Sequence, residues 1–187
     1  MAQLTQQTKS ALEFASTMRA VEDDAAVRSV LLSAWNENDE GHWIVPSLQQ
    51  GPAKLEAVAK AITAHKARRE SYWEQVKSGL KSDDNMAGKP AVDPRPHVGA
   101  IYFGDWAPDP WMQAIHGTNW TEWSLPMNAQ PRYPGHRQPN LPINDKGWGP
   151  THPESDPENM AVKIDAAADH SIDFFMFDWC VSVDQLR

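Results

Sequence analysis

Residues 27–41, VRSVLLSAWNENDEG, place a cluster of acidic residues directly after an apolar run. The run from Val27 to Trp35 has the composition of a β-strand that leaves a hydrophobic core. Two glutamates, Glu37 and Glu40, follow it three residues apart and are succeeded by Gly41. Carboxylates are rarely found beside a hydrophobic core unless they are paired with a cation or have a functional role. This stretch therefore predicts a functional site at the carboxyl end of a buried strand.

The bulk composition is typical of a globular protein of about one domain. The chain has 187 residues, of which 41% are hydrophobic and 22% are charged, enough for a core. Its net charge of −8 argues against a general binder of nucleic-acid phosphates. No window approaches the roughly 18 apolar residues that a membrane span requires. We therefore expect no nucleic-acid partner and no membrane insertion.

Two further features bear on the cellular location. The first residues, MAQLTQQTKSALEF, lack the apolar centre of a secretory signal, so no signal peptide is predicted. The single cysteine, Cys180, cannot form an internal disulfide, which is consistent with a reducing compartment. From these features we expect a cytoplasmic location.

Apolar periodicity predicts helices and strands in an α/β order. Helices are predicted over residues 4–21, 51–76 and 157–170, the last with Asp156 as its N-cap. Strands are predicted over residues 27–35, 97–103 and 171–179. The middle of the last strand is continuously apolar, as in strands buried on both faces. The order α-β-α followed by β-loop-α-β indicates an α/β fold with parallel strands.

A change in composition divides the chain. Residues 78–96, SGLKSDDNMAGKPAVDPRP, have the Gly, Pro and Asp content of a linker. We therefore predict an N-terminal segment over residues 1–77, a linker over 78–96 and a C-terminal segment over 97–187. Residues 107–155 are rich in Pro and Trp and are predicted to form a long ordered loop of the kind found at active sites.

Two blocks of sequence carry a family resemblance. AWNENDEGHWIVPS (34–47) and TNWTEWSLPMNAQPRYPGHRQPNLP (118–142) resemble the glycoside hydrolase family 99-like proteins, including the WbsX-type group linked to polysaccharide biosynthesis. The last strand of that family's (β/α)8 barrel carries a signature similar to Asn-Glu-Trp-x-Glu-Gly. Residues 36–41 match it at the Asn, both Glu and the Gly. Blocks similar to the start of the barrel follow in order: Thr121-Glu122-Trp123, Gly135-His136-Arg137-Gln138-Pro139, and residues 172–179.

The order of these blocks resembles the end of one barrel joined to the start of another, or a permuted barrel. A complete barrel needs about 250 residues, so the resemblance implies a partial TIM-type (β/α)8 barrel that is incomplete in this chain. The last strand of a closed barrel neighbours the first, and the three strands are therefore expected to lie side by side. The missing part corresponds to strands three to seven.

The resemblance implies catalysis by two carboxylates on α-linked glycans, mannose-type by family analogy. It implies a retaining route through a 1,2-anhydro sugar. Glu37 would be the base that deprotonates the sugar 2-hydroxyl, and Glu40 would be the acid/base at the leaving group. Each role is general acid–base catalysis, worth about 10²- to 10⁴-fold in rate. Asn38 stands where the family usually has an aromatic residue.

Residues at the predicted strand ends and in the motif blocks are candidate substrate contacts. Flat aromatic faces with a polar edge suit a sugar ring, although packing within the loop is the alternative for each tryptophan, Trp120 and Trp148 included. The candidates are Asn36, Trp43, Asp105, Trp106, Glu122, Trp123, His136, Gln138, Asp178 and Trp179. His136 and His152 lack the spacing of a metal pair. No metal and no cofactor are expected.

Two other functions remain open from the sequence. One is a glycan-binding or interaction fragment without catalysis, and the other is a transferase-like relative that assembles polysaccharide from a nucleotide-sugar donor. An open sector of parallel strands exposes unpaired edges. We therefore predict self-association, or a second chain that completes the barrel.

Overall fold

The computed structural model describes residues 1–17, 29–38, 41–78, 96–104, 106–135, 141–145 and 147–178. Helices and strands are interspersed along these residues. They are α1 Ala2–Thr17, β1 Ser29–Leu32, β2 Asn36–Glu37, β3 His42–Trp43, α2 Ala53–Lys77, β4 His97–Phe103, α3 Pro110–His116, α4 Ser124–Asn128, α5 Pro157–Asp169 and β5 Phe174–Asp178. The predicted α/β class is confirmed. No helix in these ranges is long and apolar enough to cross a membrane.

A three-stranded parallel sheet has the order β1-β4-β5. In the pair β1–β4, Ser29 lies opposite His97. In the pair β4–β5, Gly99 lies opposite Phe174. The connection from β1 to β4 contains α2, and the connection from β4 to β5 contains α5, as parallel pairing requires a long crossover. The three strands lie side by side, as expected. Their carboxyl ends therefore share one edge of the sheet.

The central strand β4 is the best-buried part of the sheet. Val98, Ala100 and Tyr102 face the core, where they join residues of α1, α2, α5 and β1. The predicted strand 97–103 is confirmed with the same bounds. A small residue is required at Gly99, because the ring of Phe174 occupies the space that a Cβ would take.

Helices α1 and α2 pack against each other beside β1. Pro52 stands in the turn that opens α2, and the predicted apolar face with Leu55, Val58 and Ile62 is buried. At the far end of this contact, the buried His65 Nε2 lies 2.9 Å from Ser16 Oγ. Of the predicted helix 4–21, residues 18–21 lie outside the described part of the chain.

The second half contains one predicted helix and two that were not predicted. The Asp156 carboxylate accepts a hydrogen bond from Glu158 N at the start of α5, which confirms the cap. The segment 107–155 also holds α3 and α4, which are too short to show a period. Asp109 caps α3 by accepting from Met112 N, with Pro110 in the first turn. In the sequence, the pair Asp109-Pro110 was a signal for the start of this helix.

The burial predicted for the last strand is wrong. β5 is an edge strand of the described sheet, and Phe174, Met176 and Phe177 are 40%, 45% and 51% exposed. Continuous apolar composition indicates that both faces of a strand are covered, and the described residues leave these three side chains partly uncovered. Residues 79–95 of the predicted linker lie outside the described residues, and the division into segments stays a prediction.

Substituting Gly99 by Ala should weaken the β4–β5 pairing. A Cβ at this position overlaps the Phe174 ring, so the ring or the strand has to move. We expect Gly99→Ala to lower the free energy of unfolding by about 1–3 kcal/mol in urea titrations. Gly104→Ala is the matched control, because nothing lies within 4 Å of its added Cβ. Equal stabilities of the two variants would contradict the packing described for β5.

His65 should make the α1–α2 contact sensitive to acid. Ser16 Oγ donates to Leu12 O at 2.8 Å, so the imidazole donates from Nε2 and keeps Nδ1 unprotonated. Nδ1 is buried without a hydrogen-bond partner among the described residues. Burial lowers the pKa of His65, the charges of Arg68 and Arg69 lower it further, and Glu13 opposes them.

The unfolded chain consequently binds a proton at His65 more readily than the folded chain. Stability should fall as the pH drops through about 6.5, the usual histidine pKa, towards the lowered folded value. Between about pH 7.5 and about pH 5.5, the melting temperature of the wild type should fall by more than that of His65→Gln. His42→Gln, which replaces an exposed histidine, should show the same fall in melting temperature as the wild type. An undiminished loss in His65→Gln would assign the sensitivity to other groups.

Candidate functional site

The chain segments that follow the three parallel strands meet at the carboxyl edge of the sheet. Asn36 and Glu37 come shortly after β1, Trp106 comes after β4, and Asp178 ends β5 opposite Phe103. Active sites of parallel α/β folds form at this edge. The sheet therefore brings several predicted site residues to one side of the molecule.

Asn36 joins the end of β1 to the end of β4. Its Oδ1 accepts a hydrogen bond from Phe103 N at 2.9 Å, and its Nδ2 donates to Phe103 O at 2.7 Å. The residue is buried, and Nδ2 also lies 3.4 Å from Glu154 Oε1. This side chain therefore satisfies backbone groups that have no partner in the sheet. Contact between Asn36 and a sugar stays a prediction.

Glu37 lies in a small hairpin next to this junction. It is half-buried in β2, where it pairs with His42 of β3. The other predicted catalytic residue, Glu40, lies outside the described residues. The same is true of Asp105, His136, Gln138 and Trp179. Their roles stay predictions from the sequence.

The face of Trp43 is occupied by a cation. Lys54 Nζ lies 3.2 Å from the centroid of the ring and donates to Trp43 O at 3.1 Å. Burial lowers the pKa of Lys54. A cation over an indole contributes roughly 0.5–2 kcal/mol. The ring thus fixes the hairpin against α2, and a sugar would have to use the remaining surface of Trp43.

Trp106 and Trp123 form a stacked aromatic pair, called here the tryptophan pair. Their ring centroids are 3.8 Å apart and their planes differ by 22°. Phe103 meets Trp106 edge-on at 5.4 Å, which connects the pair to the end of β4. The sequence predicted both tryptophans as substrate contacts, and the structure brings them together.

The tryptophan pair lines a cavity of about 260 Å³. Thr121 and the residues just after Trp106 continue the pair's side of the cavity, and the opposite side comes from the segment that includes Gly149, His152 and Glu154. The position after β4 places this cavity at the carboxyl edge of the sheet. Apolar walls with a few polar groups are typical of binding sites for small molecules.

Glu154 is a polar residue of this cavity that the sequence analysis missed. Its Oε1 forms an ion pair with Lys163 Nζ of α5, and both side chains are largely buried. Lys163 Nζ also donates to the Tyr102 hydroxyl at 3.2 Å. Burial strongly raises the pKa of Tyr102, and the charge of Glu154 adds to the shift. The network joins α5, β4 and the cavity.

A signal for Glu154 was present in the sequence. Lys163 follows Met160 by three residues and precedes Ala167 by four, so it lies on the buried face of α5. A lysine in that position requires a nearby anion, because an unpaired buried charge is very costly. The sequence could predict such a partner without identifying which acid supplies it.

A segment in the second half of the chain is similar to a known protein family. Residues 98–180 match the family model described as Glycosyltransferase WbsX. The suspected resemblance to the WbsX group is confirmed over this segment, which contains β4 from its second residue, β5 and every residue that lines the cavity. No curated protein and no solved structure matches the chain. The matched segment is therefore similar to a family of carbohydrate-active proteins.

Other candidate residues of the matched segment have different surroundings. Trp148 packs in the core against Trp35, with ring centroids 6.1 Å apart, and Trp120 stacks on His116 at 4.5 Å. Glu122 is half-buried beside the tryptophan pair, and Asp178 is exposed. The described residues contain no group of three or more His, Cys, Asp or Glu that could hold a metal ion.

Proposed function

We propose that this chain supplies part of a glycan-processing site of the WbsX and family 99-like type. In this proposal the tryptophan pair is the saccharide-binding surface, and Glu37 and Glu40 are the catalytic carboxylates. The observation that carries it is the cavity beside Trp106 and Trp123, which lies within the matched segment. Its location at the carboxyl edge of parallel strands agrees with the general rule for such folds.

The chemistry of the cavity supports a saccharide as ligand. An indole presents an apolar face that can contact the C–H groups of a sugar ring. Glu154 and His152 add polar groups to the same cavity. Its volume of about 260 Å³ lies just below the roughly 300 Å³ at which pockets for drug-sized ligands begin. The described residues therefore fit a single sugar ring better than an oligosaccharide.

The proposed reaction uses the two glutamates in sequence. Glu37 removes the proton of the sugar 2-hydroxyl, the 2-oxygen attacks C1, and Glu40 protonates the departing glycosidic oxygen as its bond to C1 breaks. Water then attacks C1 and gives a proton to Glu40, while the bond between C1 and the 2-oxygen breaks and Glu37 returns its proton to the 2-oxygen. Support comes from the hydrogen bonds of Asn36 to Phe103, because they connect the segment before Glu37 to the strand that precedes the cavity.

The proposed site requires more strands than the three parallel strands of the described sheet. In this proposal the three described parallel strands form a sector of a (β/α)8 barrel, which takes about 250 residues when complete. The apolar side chains exposed on β5 support completion by a second copy or by another chain. Burying them would remove the unpaired strand edge from solvent.

A second candidate is transfer of a sugar to an acceptor other than water. The matched family is described as a glycosyltransferase, which favours this reading. It would use the same carboxylates and would require a nucleotide-sugar donor. Turnover that depends on such a donor would favour the transferase over the hydrolase.

Substituting the proposed catalytic residues tests the proposal. Glu37→Gln and Glu40→Gln should each lower kcat on a fluorogenic α-linked mannose oligosaccharide by about 10²- to 10⁴-fold. Binding of the same oligosaccharide should persist, since the tryptophan pair is unchanged. Glu56→Gln, at an exposed carboxylate of α2, is the matched control and should retain wild-type turnover.

Three outcomes separate the candidate functions. Wild-type turnover in both glutamine variants would contradict the assignment of the carboxylates. Binding by the wild type without turnover, with or without a nucleotide-sugar donor, would identify a glycan-binding module. Neither binding nor turnover would remove the saccharide proposal altogether.

A further inference from the structure

Two polar atoms beside the cavity lack partners in the described part of the chain. They are Glu154 Oε2 and Trp106 Nε1, and both are buried. Both residues line the cavity. Trp106 is 3% exposed, so solvent has little access to its N–H group. A buried polar group without a hydrogen bond costs about 1–3 kcal/mol, and a ligand in the cavity could supply the missing bonds.

The other oxygen of Glu154 is already engaged. Lys163 Nζ pairs with Oε1, and Asn36 Nδ2 lies 3.4 Å from the same atom. These contacts hold the carboxylate in one position and balance its charge with that of Lys163. Oε2 is thus a preorganised acceptor on a residue that lines the cavity, and Trp106 Nε1–H is a donor on another residue of the same lining. Preorganised groups bind at a smaller entropic cost than mobile ones.

We infer that Glu154 and Trp106 recognise hydroxyl groups of the bound sugar ring. A sugar hydroxyl donates to Glu154 Oε2, and a sugar oxygen accepts from Trp106 Nε1–H. A hydroxyl both donates and accepts hydrogen bonds, so saccharides suit this combination. The inference rests on the proposed function and adds to it a specificity residue, Glu154, and a positioning residue, Lys163, that acts through it.

The charge of the network distinguishes this ligand from a cation. A lone carboxylate in a cavity attracts metal ions and amines, but the ion pair with Lys163 compensates the charge of Glu154. A neutral ligand that donates to a carboxylate still forms a charge-assisted hydrogen bond, which is stronger than a neutral one. The hydroxyl that reaches Oε2 should therefore dominate discrimination among related sugars.

Calorimetric titration of the full chain with methyl α-D-mannopyranoside and its monodeoxy analogues tests this inference. For the wild type, one deoxy analogue should bind about tenfold to a hundredfold more weakly than the parent sugar. Glu154→Gln should weaken binding of the parent by a similar factor and remove this discrimination. Glu158→Gln, at an exposed carboxylate nearby, is the matched control and should bind like the wild type.

A shorter acid keeps the inference testable if the glutamine variant does not fold. Glu154→Asp retains the negative charge for Lys163 but withdraws the carboxylate from the cavity. It should melt near the wild-type temperature and still lose the discrimination among analogues. A merely structural role for Glu154 would change the melting temperature and leave the ratio of the affinities unchanged.

The remaining outcomes separate this inference from the proposed function. If a folded Glu154→Gln variant binds every analogue like the wild type while the wild type binds and processes glycans, the inference is overturned and the proposed function stands. If the wild type binds no mannoside and processes no glycan, the proposed function fails and the inference fails with it.

Discussion

The buried ion pair between Lys163 and Glu154 connects the parts of the molecule that form the candidate site. Lys163 comes from α5, and its Nζ also reaches the Tyr102 hydroxyl at the end of β4. Glu154 lines the cavity and lies next to Asn36, which holds the end of β1. Burying two charges costs several kcal/mol per ion unless their geometry is good. Loss of either partner would leave an uncompensated charge at the centre of this arrangement.

The sheet relates this site to the rest of the proposed barrel. β4 lies between β1 and β5 in the sheet, and the cavity lies beyond the carboxyl end of β4. β5 instead carries apolar side chains that are 40–51% exposed. Its continuous apolar composition is typical of a strand covered on both faces. The candidate site and the exposed apolar side chains thus belong to the same sheet.

Local signals in the sequence predicted much of the fold. Apolar spacing and the Asp156 cap predicted α2 and α5, and the run of residues 97–103 predicted β4. The exposure of β5 could not be predicted, because composition indicates which neighbours a strand requires and not which ones it has. The family resemblance predicted Trp123, and the position after a predicted strand predicted Trp106. Their stacking at 3.8 Å and the ion pair of Glu154 depend instead on contacts between distant segments.

The most direct test of saccharide binding at the tryptophan pair is an NMR titration of the indole N–H signals. Protein labelled at tryptophan is titrated with methyl α-D-mannopyranoside, and the signals are assigned with Trp→Phe variants. The Trp106 and Trp123 signals should shift, while those of Trp35 and Trp148, which pack in the core, should stay in place. An unchanged Trp106 signal at saturating sugar would contradict binding in this cavity.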